Sequence, residues 1–260
     1  MTDRNDIPLL EDESLDKVNE QLCLIRKRQG LTFGTDAYLL AAFVRPMPSA
    51  HAVDLGSGTG ILPLLLLAKG KAARVTAVEV QECFVDLIGR NAAVNGFADR
   101  ITPHLGDVRT LTCRELGGRE VDLVVSNPPY MKVGSGKRNE HDEKYIARHE
   151  VLGGIADFCA AAGRILRYGG RFVTVWRPDR LSELLAALHA SALEPKRMTL
   201  VYADESAEPC AVLTEAVKGA APSLRVSPPL LLYEPMREGD RTRRLTAAAQ
   251  AVYDTCRLFY

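Results

Sequence analysis

Three things are scarce in this sequence, and each scarcity excludes something. Long apolar runs are absent: the longest, Ile61–Ala68, has eight residues and contains Pro63, whereas a bilayer-spanning helix needs roughly 20. Paired cysteines are absent. Cys23, Cys83, Cys113, Cys159, Cys210 and Cys256 are scattered, with none of the close spacing of a zinc site. That pattern favours reduced thiols in a cytoplasmic protein without a metal. An excess of either charge is absent too, with 33 basic and 33 acidic side chains in 260 residues. Any attraction to a nucleic acid must therefore be local. The first residues, MTDRNDIPLLEDES, are polar and acidic, unlike a secretory signal.

What is present reads as one α/β domain. Residues 1–21 carry seven acidic side chains against Arg4 and Lys17 and are expected to be a flexible lead-in. Residues 22–50 are expected to hold a hairpin around the basic centre of LCLIRKRQGLTF. A helix, GTDAYLLAAFVRP, should follow, capped by Thr35 or Asp36 and stopped by Pro46. From residue 51 to 219 short apolar or β-branched runs alternate with helical ones. VDLVVSN has almost no polar alternation, as befits a strand buried on both faces. The alternation predicts a Rossmann-like, mostly parallel sheet of seven strands with helices on both faces. The last two strands have no helix between them and should form an antiparallel edge pair. Residues 220–260 read as a C-terminal extension, a charged loop and a closing helix. There is no internal repeat.

The stretch VDLGSGTG follows the first strand of this core and opens the first helix. Gly56, Gly58 and Gly60 permit positive φ and close approach of a ligand. Asp54 stands just before them. Glu79 ends the second strand, where an acid can accept from both ribose hydroxyls, and Asp107 ends the third, near where an adenine amino group would lie. NAD and S-adenosyl-L-methionine both suit such a unit. NAD usually comes with a glycine one residue later, and Asp54 would repel its pyrophosphate. S-adenosyl-L-methionine carries a sulfonium and an ammonium, so an acid beside the loop favours it.

The fourth strand ends in SNPPY. Two prolines stop the ladder and stiffen the tip. An exocyclic amine conjugated to a ring is a poor nucleophile because its lone pair is delocalised. Acceptors on both its N–H bonds, the Asn127 side-chain oxygen and the Pro128 carbonyl, would localise that lone pair. Tyr130 offers a flat face on which an unstacked base can rest. This is positioning and electrostatics, with no general base required.

DLGSGTG, VEVQ and SNPPY together resemble class I S-adenosyl-L-methionine-dependent amino-methyltransferases. LTFGTDAYLLAAFV, RNAAVNG, IARHE, RPDRL and EPKRMTLVY resemble the tRNA(Val) adenosine-37 N6-methyltransferase family. That resemblance implies that Thr35 and Asp36 lie beside the methionine end of the cofactor, and that Asn127 and Tyr130 hold the adenine. It implies RNA, a tRNA anticodon loop, as partner. Candidate phosphate contacts are Arg26, Lys27 and Arg28, Lys137 and Arg138 in the polar segment 131–150, and Arg241, Arg243 and Arg244. Other substrates remain open on the residues alone: a protein glutamine amide, DNA adenine or ribosomal guanine. Glutamine methyltransferases typically carry an N-terminal helical domain, and only 52 residues precede Val53 here.

Overall fold

The computed structural model describes residues 8–29, 34–130, 153–236 and 242–258. Its centre is a sheet whose strands, in chain order, are β3 (His51–Leu55), β4 (Arg74–Glu79), β5 (Ile101–Leu105), β6 (Val121–Ser126), β7 (Leu166–Trp176), β8 (Leu193–Tyr202) and β9 (Pro209–Lys218). They are the seven strands expected after residue 50. In space they run β5-β4-β3-β6-β7-β9-β8. β5 to β7 are mutually parallel, while β9 is antiparallel to both β7 and β8. The expected antiparallel pair therefore forms, with β9 threaded between β7 and β8. Two-residue strands β10 (Arg225–Val226) and β11 (Leu230–Leu231) add to the outer side of β8 and shield that edge.

Helices α1 (Thr35–Phe43), α2 (Ile61–Ala68), α3 (Glu82–Val94), α4 (Ile155–Ile165), α5 (Leu181–Ala190) and α6 (Ala247–Thr255) flank the sheet. Two separate apolar layers result, one containing α1, α2 and α6 and the other α4 and α5. α2 is apolar all round, and Ile61 to Leu67 are all buried, as a helix without a polar face must be. Pro63 sits in its first turn, where its missing N–H costs no helical bond.

Four sequence expectations need correction. Residues 1–21 are not a lead-in throughout: Glu13–Lys17 form strand β1, paired antiparallel with β2 (Cys23–Lys27). The hairpin thus spans 13–27, earlier than the expected 22–33, of which residues 30–33 lie outside the described residues. The reason is tertiary. Buried Glu13 pairs with Arg90 of α3 at 2.6 Å, and its second role is to accept from the Leu10 N–H at 2.9 Å. Neither Thr35 nor Asp36 caps α1; the cap position is Gly34, without a side-chain bond. Finally, the sequence reads IADFCAAAGRILRYGG as one helix, whereas α4 ends at Ile165 and LRYGG opens β7 at once. A register shift between Val121 and Leu123 accommodates the early start.

Candidate active site

The site lies along the carboxyl ends of β3, β4 and β6, which the pairing brings level: Leu55 lies opposite both Val78 and Ser126. Ligands in sheets of this kind sit at that edge. The loop after β3 turns back on the second strand, with the Gly56 and Ser57 N–H groups both donating to the Val78 carbonyl (2.9 and 3.0 Å). Gly56 has φ +71° and a Cβ there would lie 3.1 Å from the Phe158 ring. Gly60, at φ +83°, is the residue from which α2 starts. Both positions require glycine.

Glu79 is buried and held chiefly by backbone N–H groups, with the Gln81 side chain beside them. One carboxylate oxygen accepts from the Gly58 N–H at 2.9 Å. The other accepts from Val80 and Gln81 at 2.9 and 3.0 Å. Burial raises its pKa while these bonds hold it down. Asp54, 1% exposed, accepts from the Ser57 hydroxyl at 2.6 Å. Burial, opposed by Ser57 and reinforced by nearby Glu79, pushes its pKa up to about 7. Asp107 is held by Arg109, whose guanidinium grips both carboxylate oxygens (2.5 to 3.0 Å) and lowers its pKa. The loop leaves room for a ligand: a Cβ built on Gly58 meets nothing within 4 Å. Two buried acids beside an open, amide-rich turn suit the cationic, ribose-bearing S-adenosyl-L-methionine.

Past the ends of β6 and β7 lies a cavity of about 170 Å³, lined by residues from several elements, among them Asp36, Asn127, Tyr130, Trp176, Arg177 and Cys210. The Asn127 Oδ1 is buried and has no hydrogen-bond partner among the described residues. An acceptor kept from water without a donor is unfavourable in isolation and marks where a donor from a ligand would go. Tyr130 is 38% exposed. The Arg180 guanidinium donates to the Tyr130 carbonyl at 3.1 Å while lying over the Trp176 ring, 4.9 Å from its centroid. Trp176 Nε1 returns a bond to the Arg180 carbonyl at 3.1 Å. The tip after β6 is therefore fixed from the end of β7 as well as by its own prolines.

Asp36 makes no ion pair among the described residues, and burial raises its pKa. Thr35 Oγ1 accepts from the Tyr253 hydroxyl at 3.2 Å, so α6 packs over the start of α1. Sequence reasoning missed Ser57, Arg180 and Asn91. The Asn91 side chain accepts from the Ile25 N–H at 2.6 Å and donates to the carbonyls of Ile25 (3.0 Å) and Thr59 (2.9 Å), fastening hairpin to glycine loop. RNAAVNG carried the signal as a motif but not as a contact.

The cation candidates fare differently. Arg26 is ion-paired with Asp16, and Lys27 with Asp12 at 3.6 Å. Arg28 donates to the Glu13 carbonyl at 3.0 Å. Arg243 pairs with Asp204 at 3.3 Å and lies over the Tyr233 ring. Arg244 offers its backbone carbonyl to the Glu234 N–H at 2.9 Å. Lys137, Arg138 and Arg241 lie outside the described residues, as does the whole segment 131–150. Among the described residues, no helix is long and apolar enough to cross a membrane.

Comparison with known proteins agrees with this geometry. Residues 28–192 match the methyltransferase small domain. A tRNA1(Val) (adenine(37)-N6)-methyltransferase of Porphyromonas gingivalis (strain ATCC 33277) is 32% identical over 187 residues, 70% of this chain and 72% of the relative. A crystal structure of a predicted O-methyltransferase from Agrobacterium tumefaciens superposes with a TM-score of 0.67 at 22% identity, covering 86% of this chain and 98% of the other. A geranyl diphosphate C-methyltransferase from Streptomyces coelicolor A3(2), solved with S-adenosyl-L-homocysteine, gives 0.51 at 16% identity over 70% and 78% of the two chains. At such identities the two structures speak for the fold alone. The chain belongs to the methyltransferase small domain family, and it is an S-adenosyl-L-methionine-dependent methyltransferase.

Proposed function

We propose that the chain methylates N6 of an adenosine in RNA, adenosine 37 in the anticodon loop of tRNA1(Val). The observation that carries this reading is the buried Asn127 Oδ1 at the tip of β6, without a partner among the described residues and in one cavity with Tyr130. The substrate named for the Porphyromonas gingivalis relative supports it.

The bound cofactor supplies an electrophilic methyl group on a sulfonium. The chain's residues prepare the nucleophile. Asn127 Oδ1 accepts one N–H of the adenine amine and the Pro128 carbonyl accepts the other, which draws the nitrogen lone pair out of conjugation. Tyr130 stacks on the ring. Arg180 holds the carbonyl of Tyr130 and so fixes the angle of that platform. Glu79 receives the ribose hydroxyls, and Asp54 faces the cofactor's cationic end. Thr35, Asp36 and Asp107 complete the cofactor surface in this reading, Asp107 already organised by Arg109. The base must leave its stack to enter, because a duplex hides the amine. An anticodon loop presents such a base.

The test is Asn127→Ala against tRNA1(Val), with the modified nucleoside identified by mass spectrometry after digestion. Turnover should fall about 100-fold, the scale of one lost transition-state hydrogen bond, with cofactor affinity little changed. Methyl transfer to a release-factor glutamine, with no methylated adenosine in tRNA, would overturn the reading.

A further inference from the structure

We propose that Arg177 forms a phosphate subsite at the rim of the active cavity, binding a backbone phosphate next to the target nucleotide. The inference rests on reading the cavity as a site for an RNA adenosine.

Arg177 follows the last residue of β7 and lines the same cavity as Asn127 and Tyr130. In about 170 Å³ there is space for little more than one base. A base whose amine meets Asn127 therefore has its ribose and flanking phosphates at the mouth. The Arg177 side chain is 46% exposed there. It is also oriented. Its Nε and one terminal nitrogen donate to the two oxygens of Asp179 at 2.9 and 2.8 Å. The other terminal nitrogen, Nη1, has no hydrogen bond among the described residues. Asp179 thus fixes the plane of the guanidinium and leaves one N–H₂ edge for an anion. Guanidinium edges bind phosphate oxygens with strong, directional hydrogen bonds.

The bland alternative is an exposed ion pair between residues two apart. Such a pair contributes almost nothing to stability, so removing it leaves the fold intact and any functional loss must come from binding. Three cations among the described residues do not offer this. Arg26 and Lys27 are paired with Asp16 and Asp12 within the hairpin, and the Arg180 guanidinium is committed to Tyr130 and Glu183.

The experiment measures wild type, Arg177→Ala and Arg177→Lys on tRNA1(Val), with thermal unfolding and cofactor calorimetry alongside. For Arg177→Ala, KM for tRNA should rise about 10- to 100-fold, the scale of a hydrogen bond to a charged group, with kcat within about threefold. The log–log salt slope should shrink by about 1, one phosphate contact. Arg177→Lys should recover part of the loss. A second arm places a single neutral methylphosphonate at each linkage flanking the target adenosine by splint ligation. One of the two should impair wild type to a similar degree and leave Arg177→Ala no worse. Equal KM for wild type and alanine variant, or losses from methylphosphonate and variant that simply multiply, overturns the subsite. Wild type that binds S-adenosyl-L-methionine yet methylates no tRNA overturns the RNA reading itself, and the subsite with it.

Discussion

The Asn91 amide donates to the Thr59 carbonyl at 2.9 Å, joining α3 to the glycine loop across 32 residues of sequence. Through the same amide group α3 also holds Ile25 of the hairpin by both its backbone N–H and its carbonyl. One fully buried side chain thereby sets the distance between the cofactor loop and the N-terminal ribbon. Asn91→Ala leaves three buried backbone groups without partners. The expected loss is about 3 kcal/mol, or about 6–12 °C in Tm for a domain of this size. Weaker cofactor binding should accompany it. Denaturant unfolding and calorimetry on the variant check both, and unchanged cofactor affinity would show that the loop holds its shape unaided.

Asp54 gives a pH signature with a defined sign. Its folded pKa, about 7, lies far above the ordinary 3.8 because burial disfavours the charged form. Between about pH 4 and 7 the unfolded chain has lost this proton while the folded chain keeps it. The Asp54 contribution to stability therefore becomes less favourable through that window and is level above it. Asp54→Asn should gain on wild type from pH 4 to 7 and then hold its advantage. A cationic ligand reverses the preference, since it favours ionised Asp54. S-adenosyl-L-methionine binding to wild type should release a proton near neutrality and tighten from pH 6 to 8. In Asp54→Asn both the proton release and the pH dependence should be lost. Calorimetry in buffers of different ionisation enthalpy reads this, and a pH-independent affinity for wild type would remove Asp54 from the cofactor's cationic end.

The hairpin arginines should behave as structure. Arg26→Ala breaks the ion pair with Asp16, and Arg28→Ala removes a bond to the Glu13 carbonyl. Each should lower stability by about 0.5–1.5 kcal/mol and leave the salt dependence of tRNA binding unchanged. Filter-binding titrations at several salt concentrations decide the point. A slope that flattens in either variant would return these cations to the RNA interface.

Much of this protein was determined by local sequence. G-x-G-x-G can make its turn only with glycines at positive φ, and Pro128 and Pro129 can only end a strand. The unbroken apolar character of VDLVVSN and of Ile61–Leu67 dictated burial, and from it the parallel sheet with covered faces. Since Asp54, Glu79, Asp107 and Asn127 each sit at or just past a strand's end, their common edge followed from the alternation of elements; Asp36, on α1, did not. Tertiary structure decided what depends on partners far along the chain. ESLDK is acidic and weakly strand-forming, yet it is a strand because Arg90, 77 residues on, takes up Glu13. Side chains that look alike in sequence diverged for the same reason. Arg26 met Asp16 and became part of a ribbon, Arg180 met Tyr130 and supports the tip after β6, and Arg177, beside the cavity, kept one guanidinium nitrogen without a hydrogen bond among the described residues. A charge is written in the sequence; whether it is neutralised depends on which opposite group folding brings within about 4 Å of it, and only packing sets that distance.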